Sequence, residues 1–354
     1  MKPGGLLIGV HAVEPDGYAG RWETALQACG AKVKRLDLLG ADPLGQVAGC
    51  DGVMWHWLHY PHEVRLAALP ILRVIEEQLR LPVFPDLATG WHYDDKVAQS
   101  YLLEAVDVPI PKTQVFWRKA DALAWCEQAH YPVVAKLAVG ASSQNVRLIR
   151  SEAEAKAYVG QCFSGSGIWV HPEDRPQGRA IGMRRRLMKA VRRVRPAAGY
   201  LFANRFPPMP HPTFWMPQKN YALFQEFLPG NEFDTRVTVI GDRAFAFRRF
   251  NRPNDFRASG SGNLQHDPSA VDLRCVSAAF AAAQRLKSQS MAFDFLFRGA
   301  GQEPVVVEVS YCYADWAVER CPGHWDSRLQ WHEGHLWPEE AHVEDFLKRV
   351  EARG

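Results

Sequence analysis

The chain has 354 residues and a formal net charge of +3, with 47% hydrophobic and 23% charged residues. This length suits two or three domains, or one large enzyme with subdomains, and the composition is that of a globular protein with a sizeable core. A net charge so close to zero excludes a polyelectrolyte and argues against a nucleic-acid partner. Any preference for anionic partners must therefore come from local clusters of charge.

The cysteines and the apolar segments indicate a cellular compartment. The seven cysteines are widely spaced and include no Cys-x-x-Cys pair, which argues against a zinc ribbon and favours reduced thiols. The apolar run near the N-terminus is too short for a signal peptide, and no stretch approaches the ~20 apolar residues of a membrane-spanning helix. We therefore expect a cytoplasmic protein.

Residues 1–88 are predicted to form a small α/β domain. The predicted strands are 6–10, 32–38, 52–58 and 81–84, and the predicted helices are 18–29 and 64–79. Strands that alternate with helices are typical of a parallel sheet. No Gly-x-Gly-x-x-Gly motif is present, which argues against a nicotinamide or flavin enzyme.

Residues 89–222 are predicted to form a second unit that contains a basic insertion at about 165–217. The predicted helices are 93–106, 120–129 and 152–161, and the predicted strands are 131–137 and 145–149. No Asp or Glu occurs between Arg175 and Phe224, and the stretch from Arg184 to Arg195 has the pattern of a basic amphipathic helix. Peripheral contact with a membrane or an anionic glycan is one interpretation of this helix. A solvated insertion that covers a cleft is the other, which we favour.

Residues 223–354 are predicted to form a third unit. The predicted strands are 221–227, 233–240, 243–250, 291–297 and 305–309, and the predicted helix is 271–286. Gly241-Asp242 is a hairpin signal between two of these strands. The tail after Tyr313 is rich in Trp and His, which can stack on a sugar or a small polar ligand, or can simply pack at the surface.

Five segments, in this order, resemble the ATP-grasp superfamily, and most closely its glutamate-ligase and glutathione-synthetase branch. They are 133–143, 223–242, 254–262, 292–295 and 307–310. The resemblance covers about residues 89–315. It implies an α/β protein of the α+β ATP-grasp type, in which an N-terminal parallel-sheet domain precedes two α+β subdomains that clasp ATP.

Two lysines are candidates for binding the phosphates of ATP. Lys136 ends an apolar strand just before a turn of small residues, where it can reach a phosphate as a point charge. Ser142 and Ser143 in that turn offer hydroxyl and backbone N–H donors. The resemblance implies that Lys96 is the second phosphate-binding lysine. The alternative for both lysines is an ordinary solvated position.

The resemblance also implies a hinge whose backbone pairs with the adenine edge, formed by Gln225, Glu226, Phe227 and Leu228. Phe227 and Leu228 would enclose the ring. Glu232 or Asp234 would accept hydrogen bonds from the ribose hydroxyls, because one carboxylate can accept two of them. The alternative is that these two carboxylates are charged residues at a strand edge.

Asp294 and Glu308 are candidate metal ligands. Each interrupts an otherwise apolar strand, where an unpaired carboxylate is costly. A shared Mg²⁺, or Mn²⁺ as an alternative, would offset their repulsion and bridge to the ATP phosphates. Ser310 stands where the family usually has Asn, which leaves the choice between one and two metal ions open. The alternative is that both carboxylates face solvent.

The candidate catalytic residues are arginines. Arg236, Arg248 and Arg257, together with Arg249, are predicted to gather at the phosphate end, since guanidinium groups suit phosphoryl transfer. Structural salt bridges are the alternative. Residues 254–262 have the pattern of a mobile loop that closes over the acyl phosphate.

These residues together predict an ATP-dependent, amide-forming carboxylate–amine ligase that acts through an acyl phosphate, with an amino acid and a sugar, peptide or natural product as substrates. A second hypothesis is an ATP-grasp kinase acting on a small polar acceptor. A third is a binding module that uses the basic helix. The sequence does not decide whether the protein forms a homodimer.

Overall fold

The computed structural model describes residues 5–12, 17–58, 62–140, 145–170, 217–253, 255–258 and 261–353. Three predictions fall outside these ranges: the basic helix from Arg184 to Arg195, and the roles of Ser142 and Ser143. They stay predictions.

The first sheet is parallel, as predicted from the alternating pattern. Its strands are β1 (Leu7–His11), β2 (Lys32–Leu36), β3 (Gly52–Met54) and β4 (Val83–Phe84), in the order β2-β1-β3-β4. Its helices are α1 (Gly17–Ala28), α2 (Pro43–Gln46) and α3 (His62–Arg73), and α3 continues into a π-helical turn, Val74–Gln78. Strand β3 is shorter than predicted and ends at Met54.

The second sheet is antiparallel. Its strands are β5 (Thr113–Phe116), β6 (Val133–Lys136), β7 (Val146–Ile149) and β8 (Ala222–Glu226), in the order β5-β8-β6-β7. The helices near it are α4 (Leu87–Gly90), α5 (Lys96–Ala105), α6 (Lys119–Gln128) and α7 (Glu152–Cys162). Helix α5 begins three residues later than predicted, because Asp95 caps it by accepting a hydrogen bond from the N–H of Ala98.

The third sheet is also antiparallel. Its strands are β9 (Phe233–Ile240), β10 (Arg243–Phe250), β11 (Leu264–Gln265), β12 (Ser290–Arg298), β13 (Glu303–Ser310), β14 (Gly323–Trp325) and β15 (Trp331–Glu333). The order is β13-β12-β9-β10-β14-β15, with β11 on β10. A 3-10 turn (Pro268–Ala270) and the helices α8 (Leu273–Leu286), α9 (Asp315–Glu319) and α10 (Pro338–Glu351) complete this part. The Gly241-Asp242 turn joins β9 to β10, as predicted.

The final helix returns to the start of the chain. Val343 and Phe346 of α10 are buried in the same hydrophobic cluster as Ile8 of β1 and Trp22 of α1. The hydrophobic core of the N-terminal sheet therefore includes this C-terminal helix. The domain boundaries at residues 88 and 222 remain predictions. In the described part of the chain, no helix has the length and apolar character needed to cross a membrane.

Candidate active site

A cleft of about 190 Å³ lies between the second and third sheets. One part of its wall is apolar and includes Val134, Val146, Phe227, Leu228 and Leu296. The other part is charged and includes Lys136, Asp234, Arg249, Asp294 and Glu308. The cleft can therefore take a ligand that carries both a flat apolar group and charged groups.

The predicted hinge forms one edge of this cleft. Strand β8 ends at Glu226, and Phe227 and Leu228 continue along the cleft wall. The Gln225 side chain donates to Thr113 Oγ1 at 2.9 Å. The structure thus brings all four predicted hinge residues to the cleft, with the Gln225 side chain tied to the neighbouring strand.

Asn231 fixes the segment that crosses from the second sheet to the third. Its Nδ2 donates to the carbonyls of Leu228, at 3.3 Å, and Phe297, at 3.0 Å. Its Oδ1 accepts from the N–H of Phe297 at 2.9 Å. The side chain therefore holds the hinge against the end of β12.

Lys136 ends β6 and projects into the cleft. Its Nζ donates to the carbonyl of Val307 at 3.3 Å. Burial, opposed by Glu308 and aided by nearby Lys96, lowers the pKa of Lys136 to about 8. A buried ammonium with this little compensation favours an anionic ligand.

Lys96 lies at the start of α5, next to the turn after β6. Its Nζ donates to the carbonyl of Gly140 at 2.9 Å and lies 3.2 Å from Glu308 Oε1. Burial acts to lower the pKa of Lys96, but Glu308 and Asp94 hold it above its usual value. Gly140 has a φ of +123°, and a Cβ there would lie 1.9 Å from Asn145 Nδ2, so this turn requires glycine.

Asp294 lies at the centre of a buried charge network. Its Oδ1 accepts from Arg236 Nε at 2.7 Å, and its Oδ2 accepts from Arg236 Nη2 at 2.9 Å and from Arg249 Nη2 at 2.6 Å. Asp234 accepts from Arg249 Nε and Nη2, each at 2.6 Å. Burial acts to raise the pKa of Asp294, but the two guanidinium groups hold it well below its usual range.

Arg248 does not join this network, which corrects the prediction that placed it at the phosphate end. Successive side chains of a strand point to opposite faces, and Arg249 is the residue that pairs with Asp234. The Arg248 guanidinium lies on the other face, 4.3 Å from the centre of the Phe233 ring. The Gly241-Asp242 turn sets this register, so the sequence contained the signal that selects Arg249.

Of the remaining predicted residues, Arg257 lines the cleft and Glu232 does not. The Arg257 guanidinium forms a fork with Asp255, with Nε at 2.9 Å and Nη2 at 2.7 Å from the carboxylate. Phe256 packs edge-on against Phe227, with ring centres 5.8 Å apart. Glu232 is exposed, and the described lining of the cleft includes Asp234 instead.

The predicted metal ligands lie on adjacent strands, but their carboxylates differ in how accessible they are to a metal ion. Asp294 and Glu308 are direct partners across β12 and β13. The Glu308 side chain is 36% exposed, whereas both oxygens of Asp294 accept from guanidinium groups. Ser310 Oγ donates to the carbonyl of Cys312 at 2.7 Å.

Within the described ranges, no group of three or more His, Cys, Asp or Glu residues is arranged to hold a metal ion. Glu308 is partly exposed and contacts Lys96 through Oε1, so its carboxylate fits one divalent cation that is shared with a ligand's own oxygens. This carboxylate does not fit a metal cage made of protein groups alone.

Comparisons with known proteins agree on the fold. No family model and no curated protein matches the sequence. The structure of the D-cycloserine synthetase DcsG is similar, with a TM-score of 0.57 and 15% identity over 98% of this chain and 100% of that one. The D-alanine–D-alanine ligase from Bacillus anthracis, complexed with ATP, has a TM-score of 0.55 and 12% identity over 99% of both chains.

A third similar structure is the ATP-grasp ligase PsnB complexed with minimal precursor, Mg and ADP. It has a TM-score of 0.52 and 13% identity over 98% of both chains. The chain therefore has the ATP-grasp fold, as predicted from its motifs. Its α/β architecture of a parallel sheet followed by two antiparallel sheets is the one expected for that fold.

Proposed function

We propose that this protein is an ATP-dependent ligase that joins a carboxylate to an amine through an acyl phosphate. One observation carries the proposal: the cleft between the two antiparallel sheets has an apolar wall at the hinge and a charged wall that includes the cations Lys136 and Arg249. Adenine and a polyphosphate have the matching shape and charge. The ATP-grasp neighbours solved with ATP or ADP support this assignment.

In this proposal the adenine lies between Phe227, Leu228 and the apolar wall, and the phosphates extend to Lys136 and Lys96. The hinge backbone would pair with the adenine edge. Asn231 holds the Leu228 carbonyl and would keep this edge in place. Pre-positioned groups of this kind lower the entropy cost of ordering a ligand.

A divalent cation, Mg²⁺ or Mn²⁺, would be held by Glu308 together with phosphate oxygens. When bound, such an ion neutralises phosphate charge. The protein's own cations would act on the same phosphates: Lys136 and Arg249 in the cleft wall, and Arg236, which shares Asp294 with Arg249. Arg257, at the edge of the cleft, would contact the acyl phosphate.

The chemistry consists of two displacements. A carboxylate oxygen of the first substrate attacks the γ-phosphorus of ATP, the bond to the bridging oxygen breaks, and ADP leaves with that electron pair. The amine of the second substrate then attacks the acyl carbon, and inorganic phosphate leaves. The amine loses one proton to solvent as the amide forms. No side-chain nucleophile is required, and the cationic residues stabilise the charge that develops in each step.

The neighbours favour amino acids or peptides as one substrate. One is a D-alanine–D-alanine ligase, and PsnB was solved with a precursor. We propose an amino acid as the acid or the amine, with a sugar, peptide or natural product as its partner.

The test incubates the protein with ATP, Mg²⁺ and pairs drawn from a panel of amino acids, amino sugars and short peptides. The proposal predicts ADP and phosphate release that requires both members of a pair. With an ¹⁸O-labelled carboxylate, one label should appear in the phosphate. Release of AMP and pyrophosphate, or label-free phosphate, would overturn the acyl-phosphate route. ADP formation with a phosphorylated product would identify a kinase instead.

A further inference from the structure

Asp234, Arg249, Asp294 and Arg236 form an alternating row of charges across strands β10, β9 and β12. Arg249 lies between the two aspartates, and Asp294 lies between the two arginines. Asp234, Arg249 and Asp294 are each at most 6% exposed. The charges of the row sum to zero, and its members compensate one another without a metal ion.

The two aspartates have few free oxygen lone pairs with which to bind a metal ion or a ribose hydroxyl. Each oxygen of Asp294 already accepts at least one charged donor at 2.9 Å or less. A divalent cation bound to the same oxygens would lie close to two guanidinium groups of like charge. Both oxygens of Asp234 are occupied by Arg249 as well, so they are poorly placed to accept from ribose hydroxyls.

The arginines keep donors to spare. A guanidinium has five N–H groups, and the bonds to the aspartates use three at Arg249 and two at Arg236. The Arg236 side chain is 17% exposed, and Arg249 lines the cleft. A guanidinium held rigidly by one carboxylate can present its other edge to a phosphate without losing further freedom.

We propose that Asp234 and Asp294 are positioning residues that orient Arg249 and Arg236 toward the ATP phosphates, and that Glu308, not Asp294, binds the metal ion. This inference rests on the proposed function. The aspartates contribute to phosphate binding with or without metal, whereas the gain in affinity that the metal provides depends on Glu308.

The experiment measures the affinities of ADP and adenosine by isothermal titration, in a chelator and in Mg²⁺, for Asp294→Asn and Glu308→Gln. Asp294→Asn should weaken ADP binding by about tenfold in both conditions, because the arginines lose their orientation, and should leave adenosine binding unchanged. Glu308→Gln should abolish the gain that Mg²⁺ provides. A general loss of structure would weaken adenosine binding too.

Arg248→Gln is the matched control, since it removes an arginine from the opposite face and should leave ADP binding unchanged. If Asp294→Asn removes the gain from Mg²⁺ but keeps wild-type binding in chelator, Asp294 is a metal ligand and the inference is wrong. Should Asp294→Asn fail to fold, Asp234→Asn gives the same test through Arg249 alone, and unchanged ADP affinity would overturn the proposal. If wild-type protein binds neither ADP nor adenosine, the proposed function itself fails, and the inference fails with it.

Discussion

Glu339 lies in the first turn of α10, and its replacement by glutamine should stabilise the protein. The side chain is fully buried, and neither carboxylate oxygen has hydrogen-bond geometry with a described neighbour. The nearest cation is Arg21, whose Nε lies 3.7 Å away, and Arg21 also contacts Asp315. Burial raises the pKa of Glu339 to about 8; its own backbone and Arg21 oppose this shift, and Asp315 adds to it.

The sign and size of the effect follow from proton linkage. The folded state keeps Glu339 protonated up to about pH 8, whereas the unfolded chain ionises it near 4.5. Its contribution to stability is therefore complete below about pH 4.5 and declines as the pH rises to about 8. At pH 7 the difference is about 3 kcal/mol, and above pH 8 it approaches about 5 kcal/mol.

Glutamine has the same shape and stays neutral, so Glu339→Gln should remove this pH dependence. For a chain of this length, a gain of about 3 kcal/mol at pH 7 corresponds to a rise in Tm of roughly 4 °C. The assay is thermal unfolding of wild type and variant at about pH 4.5, 7 and 9, with the exposed neighbour replaced in Glu340→Gln as control. A variant less stable than wild type at pH 9, or a difference that does not shrink toward pH 4.5, would refute the reasoning.

Three further predictions test the cleft and the packing around it. Because the pKa of Lys136 is about 8 and only the ammonium attracts phosphate, ATP affinity should fall by about tenfold between about pH 7 and pH 9. Isothermal titration of Lys136→Met should show no such pH dependence, and an unchanged one would contradict the assignment. Phe346→Ala should reduce the free energy of unfolding in urea by about 3–5 kcal/mol, because the ring fills the N-terminal core. A loss below about 1 kcal/mol would contradict the packing of α10 on the first sheet. Gly241→Ala should cost about 1–2 kcal/mol, since Gly241 has a φ of +56° and a Cβ would meet Asp345, the partner of Arg243. An alanine variant as stable as wild type would argue against this turn.

Much of the fold was predictable because its signals are local. The predicted bounds of β9 and β10 match the structure, since Gly241-Asp242 separates two clearly apolar strands. Strand β5 was missed because Thr113–Phe116 is only four residues long and none of them is fully buried, so no alternation marks it. The packing of α10 on the first sheet joins the two ends of the chain, and no local pattern encodes that contact.

The sequence predicted which residues form the candidate site, but not which charged side chains pair with one another. Asp294 and Glu308 were expected on neighbouring strands, and they are direct partners. Their different surroundings depend on the order β12-β9-β10, which brings Arg236 and Arg249 to Asp294 from two other strands. Such a network is set by tertiary neighbours, so a pattern along one strand could not separate a metal ligand from a buried ion pair.

The most direct test of the account is isothermal titration of ATP in Mg²⁺ into wild type, Lys136→Met and Lys119→Met. Lys119 is an exposed lysine at the start of α6 and serves as the matched control. The account predicts that wild type and Lys119→Met bind ATP equally, and that Lys136→Met binds at least about tenfold more weakly. No binding to wild type, or equal binding to all three proteins, would contradict the assignment of this cleft as the ATP site.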